Sequence, residues 1–311
     1  MRKIVYISDE DFLKHQMTPG HPESPDRLTA IEKALKTAGL WQKLEHITPI
    51  PSSMEQLLRV HSREHIDSIY LLGTKASAGG LVTVDPDTYM NADTLNAARK
   101  AAGAAVLAVD KVLSGDTDAA FCAVRPPGHH AERDRAMGFC FFNNIAVGGA
   151  QALETHGLSR VAIVDFDVHH GNGTQDIFKN DARVLFCSTH QYPFYPGTGD
   201  RSPADNIVNV PLPAGADGRM FRQAVSSDWL PALHDFKPEM LFISAGFDAH
   251  REDPLALLGL VEEDYYWVTR QLVDMARQHC RGRVVSSLEG GYNLAALGAS
   301  VTAHVRALLE C

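Results

Sequence analysis

Seven short runs, apolar or β-branched at nearly every position, recur along this chain of 311 residues and leave it few ways to fold: residues 4–7, 119–124, 161–166, 184–188, 207–210, 240–244 and 284–288. Runs without polar alternation read as strands buried on both faces. Between them lie longer stretches of helical period, among them Leu28, Ile31, Leu35 and Ala38, the alanine-rich stretch 94–113, and Val268, Leu272 and Met275. Strand alternating with helix predicts an α/β fold, a central and mainly parallel sheet flanked by helices on both faces. No repeat, low-complexity tract or linker-like stretch interrupts the alternation, although Gly79-Gly80 and residues 193–203 read as loops. Residues 1–311 are therefore expected to form a single domain. Ligands of open α/β sheets gather beyond the carboxyl ends of the strands, so the loops that follow the runs are where chemistry is expected.

Charge narrows the partners. With 29 Lys and Arg against 38 Asp and Glu the net charge is −9, and no stretch concentrates the basic residues. A chain that tracks nucleic-acid phosphates needs the opposite balance, so nucleic acid is not expected as a partner. No apolar run approaches the ~20 residues of a membrane span, and the opening stretch is stopped by acids too early for a signal-peptide core. Five cysteines, Cys122, Cys140, Cys187, Cys280 and Cys311, form no Cys-x-x-Cys pair and mostly sit in apolar runs, the pattern of reduced thiols in a cytoplasmic protein. Fifteen histidines, several adjacent, point to metal or proton chemistry.

Four strand ends carry unusual residues. After the run ending at Val124 comes Arg125-Pro126-Pro127-Gly128-His129-His130, two imidazoles behind a stiffened backbone. The run 161–164 leads into Asp165-Phe166-Asp167-Val168-His169-His170-Gly171-Asn172-Gly173, where persisting extended structure would put Asp165, Asp167 and His169 on one side. Ala245-Gly246-Phe247-Asp248 and Glu289-Gly290-Gly291-Tyr292 follow the other two. Asp and His donors without a thiolate suit Zn²⁺ or a similar divalent ion, and Asp167, His169 and Asp248 would supply three ligands and leave a position for water. Acids at strand ends also cap helices, and single histidines also pack in cores; the joint pattern is what favours a site.

The stretches Arg125-Pro126-Pro127-Gly128-His129-His130-Ala131-Glu132, Gly138-Phe139-Cys140-Phe141-Phe142-Asn143-Asn144, Asp165 to Gln175, Ala245 to Asp248 and Leu288 to Asn293 resemble the histone deacetylase superfamily in its class II form. The likeness runs in order from His21-Pro22-Glu23-Ser24-Pro25-Asp26-Arg27-Leu28 to Tyr292. It implies the arginase/deacetylase-like fold and the removal of acyl groups from amines with one catalytic zinc per chain. By the same likeness Asp167, His169 and Asp248 would be the zinc ligands, His129 and His130 the tandem histidines, and Tyr292 the oxyanion donor. Structural potassium is implied as well, on backbone oxygens of Asp165, Asp167 and His169 with Ser188 and Thr189. Asn172 stands where class I members carry Asp, so His130 would face an amide while His129 keeps the carboxylate of Asp165. Because a carboxylate stabilises imidazolium and an amide does so far less, the two rings are expected to titrate apart. His130 is then read as general base and later acid, with His129 nearer an electrostatic role; the assignment between the two stays open here.

Phe139 and Tyr195 are expected to wall an acyl channel in the manner of that family. Asp87 is read either as a grip on substrate backbone at the rim or as a turn former, Arg27 as lining an acetate exit or as a surface salt bridge, and His190 and His250 as pocket lining. Leu255, seven residues after Asp248, falls where the family places a gatekeeper, Glu in its polyamine-selective type and Leu in its lysine-selective type. The leading expectation is a zinc-dependent amidohydrolase acting on acyl-lysine in peptides or proteins. Its rivals are an acetylpolyamine amidohydrolase acting on a small acetylated amine, and a silent acyl-lysine binding scaffold. A scaffold would be expected to lose a ligand, a tandem histidine or Tyr292, and this chain keeps them all.

Overall fold

The computed structural model describes residues 2–310, so Met1 and the thiol of Cys311 lie outside the described residues. Among the described residues there are ten strands: β1 (Ile4–Ile7), β2 (Leu44–Ile47), β3 (Val82–Asp85), β4 (Thr88–Met90), β5 (Ala119–Cys122), β6 (Val161–Asp165), β7 (Val184–Gln191), β8 (Ile207–Leu212), β9 (Met240–Ala245) and β10 (Val284–Leu288). Eight of them form one sheet in the order β2-β1-β5-β10-β9-β6-β7-β8, and every neighbouring pair is parallel. All seven expected runs are strands of this sheet. Its edge strand β2 carries no apolar run, since only Leu44 of its four residues is buried. β3 and β4 make a separate antiparallel hairpin.

Register aligns the strand ends. Cys122, Ser287, Ser244, Asp165 and Ser188 face one another in a row across five strands. β9 and β10 are inserted between β5 and β6, so the four strands with unusual loops are consecutive neighbours, β5-β10-β9-β6. β7 runs three residues beyond its apolar stretch, where Thr189, His190 and Gln191 pair with Val210, Pro211 and Leu212 of β8 and Ser188 Oγ meets His190 Nδ1 at 3.0 Å.

The helices supply the covering layers. Asp26–Thr37 buries Leu28, Ile31 and Leu35 and packs against Leu294–Glu310, which in turn lies against Glu262–His279. Thr94–Ser114 buries seven alanines, and its small side chains let it lie close to helix Asn144–Glu154. It ends at Gly115 with φ +82, the left-handed turn that glycine accepts without strain. The four described cysteines are buried and unpaired, and no helix of the described residues is long and apolar enough to cross a membrane.

Gly103 in that alanine-rich helix shows which effect wins at a packed contact. Ala outranks Gly in a helix by about 1 kcal/mol. A Cβ at Gly103, however, would sit 2.0 Å from the carbonyl oxygen of Ile50. Overpacking costs about 1–3 kcal/mol, so Gly103→Ala is expected to lower the thermal unfolding midpoint; an equal or higher midpoint would show that the 49–52 segment yields.

Candidate active site

The loop after β5 is fixed from behind. Arg125 is fully buried and donates to Glu23 Oε2 at 2.7 Å, Phe12 O at 2.7 Å and His15 O at 3.0 Å. Its front is held by Glu289, at the end of β10, whose Oε2 accepts from Gly128 N at 2.7 Å and His129 N at 3.1 Å. Ser244 of β9 donates to the other oxygen at 3.1 Å. Burial pushes the Glu289 carboxyl up to about 7.

β6 stops at Asp165, so Asp167 and His169 come from a turn rather than from continued strand. Asp165 does not join them. It accepts from His129 Nδ1 at 2.9 Å, while Asp167, His169 and Asp248 bring one donor atom each within 4.8 Å of one another. His169 Nδ1 lies 3.1 Å from Asp167 Oδ1 and 3.2 Å from Asp248 Oδ2. Zinc held at 2.0–2.2 Å by tetrahedral N and O ligands separates them by roughly 3.3–3.6 Å, so the spacing is close to that of such an ion. Asp248 Oδ1 accepts from Val168 N at 2.9 Å, but its Oδ2 is buried without a hydrogen bond. A buried, undonated carboxylate oxygen is costly unless a cation faces it. Glycines leave room for this cluster: a Cβ at Gly246 would lie 2.0 Å from Asp167 Oδ2, and one at Gly290 the same distance from Asp248 Oδ2. The donor set fits a divalent ion of the zinc type.

Electrostatics follows from these placements. Burial alone would raise the Asp167 carboxyl, yet His129 and His169 hold it far below the usual range. Burial opposes charge on His169 too, and Asp167 and Asp248 outweigh it and lift the ring to about 10.

The tandem rings stand 4.0 Å apart between centroids and face different partners. Asp165 and Asp167 raise His129 well above the ordinary imidazole value against the effect of burial. His130 is driven well below it, first by burial and then by the neighbouring His129 and His169. Asn172 Nδ2 donates to Glu132 Oε1 at 2.7 Å, which turns its Oδ1 toward His130 Nδ1 at 2.7 Å. That nitrogen must carry the proton, and Nε2 keeps its lone pair. Gly138 makes the close approach possible, since a Cβ there would meet His130 Cδ2 at 2.5 Å.

His129, His130 and His169 line a cavity of about 440 Å³ together with Phe139, Tyr195, Leu255, Asp87 and Tyr292, while Asp167 and Asp248 are buried beside His169. All four expected channel residues therefore come together, with Asp87 exposed at the end of the β3–β4 hairpin. Sequence reading missed Phe194, which stacks on His169 at 5.6 Å and 20°, and His21, edge-on to Phe139 at 4.7 Å. It also missed Glu289, because a carboxylate that binds backbone N–H groups leaves no spacing signature, and Glu132, whose partner is the side-chain amide of Asn172. Arg27 is no surface salt bridge: it is fully buried, donates to Gly291 O at 2.7 Å and lies 4.9 Å over the Tyr292 ring. His190 and His250 do not line the cavity. His190 Nε2 instead donates to Gly199 O at 3.0 Å and His170 Nδ1 faces Thr198 Oγ1 at 2.8 Å, fastening the loop that carries Tyr195.

Comparison with known proteins agrees with this arrangement. Residues 21–308 match the histone deacetylase domain family. The chain is 42% identical to an uncharacterized protein of Synechocystis, over 98% of this chain and 99% of that one. It is 39% identical to a probable deacetylase of Archaeoglobus fulgidus, covering 93% and 81% of the two chains. A histone deacetylase-like amidohydrolase of Pseudomonas aeruginosa is 40% identical, with 88% and 73% covered. Among solved structures the HDA15 HD domain superposes with a TM-score of 0.91 at 38% identity, over 99% of this chain and 89% of that one.

Metal analysis tests the triad directly. Zinc-loaded wild-type protein is expected to retain about one ion per chain after gel filtration, and Asp248→Ala, which removes one of the three candidate ligands, less than about a tenth of that. Full retention by a folded Asp248→Ala would sink the assignment.

Proposed function

The chain belongs to the histone deacetylase family, and on that premise we propose that it is a zinc-dependent amidohydrolase that removes acetyl or other acyl groups from the side-chain amine of lysine in peptides or proteins. The observation that carries the reading is the close grouping of Asp167, His169 and Asp248, whose His169 lines one walled cavity together with His130 and Tyr292. Bound by that triad, zinc would polarise the acyl carbonyl and lower the pKa of a water toward ~7.

The chain's own groups do the rest. His130, neutral and with its Nδ1 proton committed to Asn172, has Nε2 free to take a proton from the attacking water. The same Nε2 then delivers that proton to the amine nitrogen as the C–N bond breaks, which leaves a carboxylic acid and a free amine. His129, held charged by Asp165, keeps a positive charge beside the reaction without exchanging its proton. The phenol of Tyr292 is kept protonated, because burial raises it well above its ordinary value, and it serves as donor to the developing oxyanion. Structural potassium near Asp165 and Ser188 is part of the same reading; both residues are wholly buried and paired in register.

Phe139, Phe194 and Tyr195 give the cavity the aromatic sides that suit a narrow alkyl stem, and Leu255 half-buried at its lining offers a secondary ammonium no carboxylate. This favours acyl-lysine over acetylated polyamines. Initial rates of the zinc-loaded enzyme on an acetyl-lysine peptide, a longer acyl-lysine peptide and acetylspermidine decide the point, and a strong preference for acetylspermidine would overturn the substrate class.

Two substitutions extend the test. Losing one oxyanion donor costs ~10² to 10³ in kcat, so Tyr292→Phe is expected to bind substrate and turn over that much more slowly. Leu255→Glu is expected to raise kcat/KM for acetylspermidine relative to the acetyl-lysine peptide, and an unchanged ratio in folded protein would remove Leu255 from specificity.

A further inference from the structure

Asp253 is neither one of the converging ligands nor part of the cavity lining, yet its side chain is almost wholly buried, with the residue 7% exposed. Three backbone N–H groups hold it. Oδ1 accepts from Leu255 N at 3.0 Å, and Oδ2 accepts from Tyr292 N at 2.7 Å and Asn293 N at 3.2 Å. A carboxylate of this length offers acceptors on both oxygens and a donor on neither, which is what three converging N–H groups require. Leu255 and Tyr292 both line the cavity, so this one side chain ties two of its walls together.

The turn it grips has little conformational preference of its own. Tyr292 follows Gly290-Gly291, and Gly291 has φ +120, a region that L side chains rarely enter and that neighbours must hold in place. Arg27 takes the carbonyl side of the turn, at Gly291 O (2.7 Å) and at Glu289 O. Asp253 takes the N–H side. Asn293 completes the grip, donating from its side chain to Glu252 O at 3.0 Å and accepting from Ala296 N at 3.1 Å. Removing the Asp253 carboxylate would free Tyr292 N on the side away from Arg27 and let the phenol drift. A displacement of about 1 Å in a reacting group costs on the order of 10²-fold in rate.

We propose that Asp253 is a positioning residue that sets the Tyr292 phenol for the reaction by fixing the backbone on either side of its Cα. The inference rests on the reading of Tyr292 as oxyanion donor.

A double-mutant cycle in kcat separates this from a merely structural role. Asp253→Ala is expected to lower kcat about 10- to 100-fold, and Asp253→Asn, whose amide must turn a donor toward at least one N–H, about 3- to 10-fold. Both are expected to keep wild-type zinc content and a KM within about threefold. In the Tyr292→Phe background both losses are expected to shrink below about twofold, since there is no phenol left to misplace. A folded variant of either kind with wild-type kcat, or with an undiminished loss in the Tyr292→Phe background, overturns the proposal. Should Asp253→Ala not fold, Asp253→Asn carries the same cycle alone. Wild-type kcat in Tyr292→Phe by itself would instead overturn the reading of the phenol, a result distinguishable from failure of Asp253.

Discussion

Four carboxylates, Asp165, Asp167, Asp248 and Glu289, are buried side by side where four parallel strands end, none more than 1% exposed. Each costs several kcal/mol to remove from water unless donors or cations surround it, and the surroundings are built to that demand. Asp165 has the His129 ring, Glu289 has two backbone N–H groups and Ser244, and Asp167 accepts from Gly290 N at 2.8 Å and His169 N at 2.9 Å. Only Asp248 Oδ2 is left without a donor, beside His169. The remaining need for positive charge is thus concentrated at one point, between the three proposed ligands.

The same charges differentiate the two histidines. Asp165 stabilises imidazolium at His129, and the positive neighbour then helps to keep His130 neutral. Asn172 adds direction rather than charge: pinned by Glu132, its carbonyl oxygen fixes which nitrogen of His130 holds the proton. One ring held charged beside one held neutral is the division of labour that the proposed amide hydrolysis would use.

Much of this was legible in the sequence because its physics is local. Apolar runs as short as 240–244, bounded by Pro238 and Gly246, fit buried strands better than helices by their length, and adjacent imidazoles behind Pro126-Pro127 announce a constrained loop. β2 escaped notice because an edge strand with one buried residue carries no hydrophobic pattern. The condition under which Asp165, Asp167 and His169 would share one side is not met: the strand ends at Asp165, and Asp167 and His169 group with Asp248 from a turn. For Arg27 the sequence left an exit-channel lining and a surface salt bridge both open, because its burial depends on backbone carbonyls 262 and 264 residues away.

The sequence by itself determined the layered α/β architecture, the donor types and the strand ends that carry them, since periodicity and residue chemistry are properties of short stretches. Tertiary structure alone decided that the loops after β5, β10, β9 and β6 become neighbours. Chain order separates the first and last of those insertions by more than a hundred residues, and only the pairing of β9 and β10 between β5 and β6, in register across one row, brings them together. It also decided which acids act through backbone N–H groups, as Glu289 and Asp253 do, because a main-chain donor is the same at every residue and leaves no mark in the sequence.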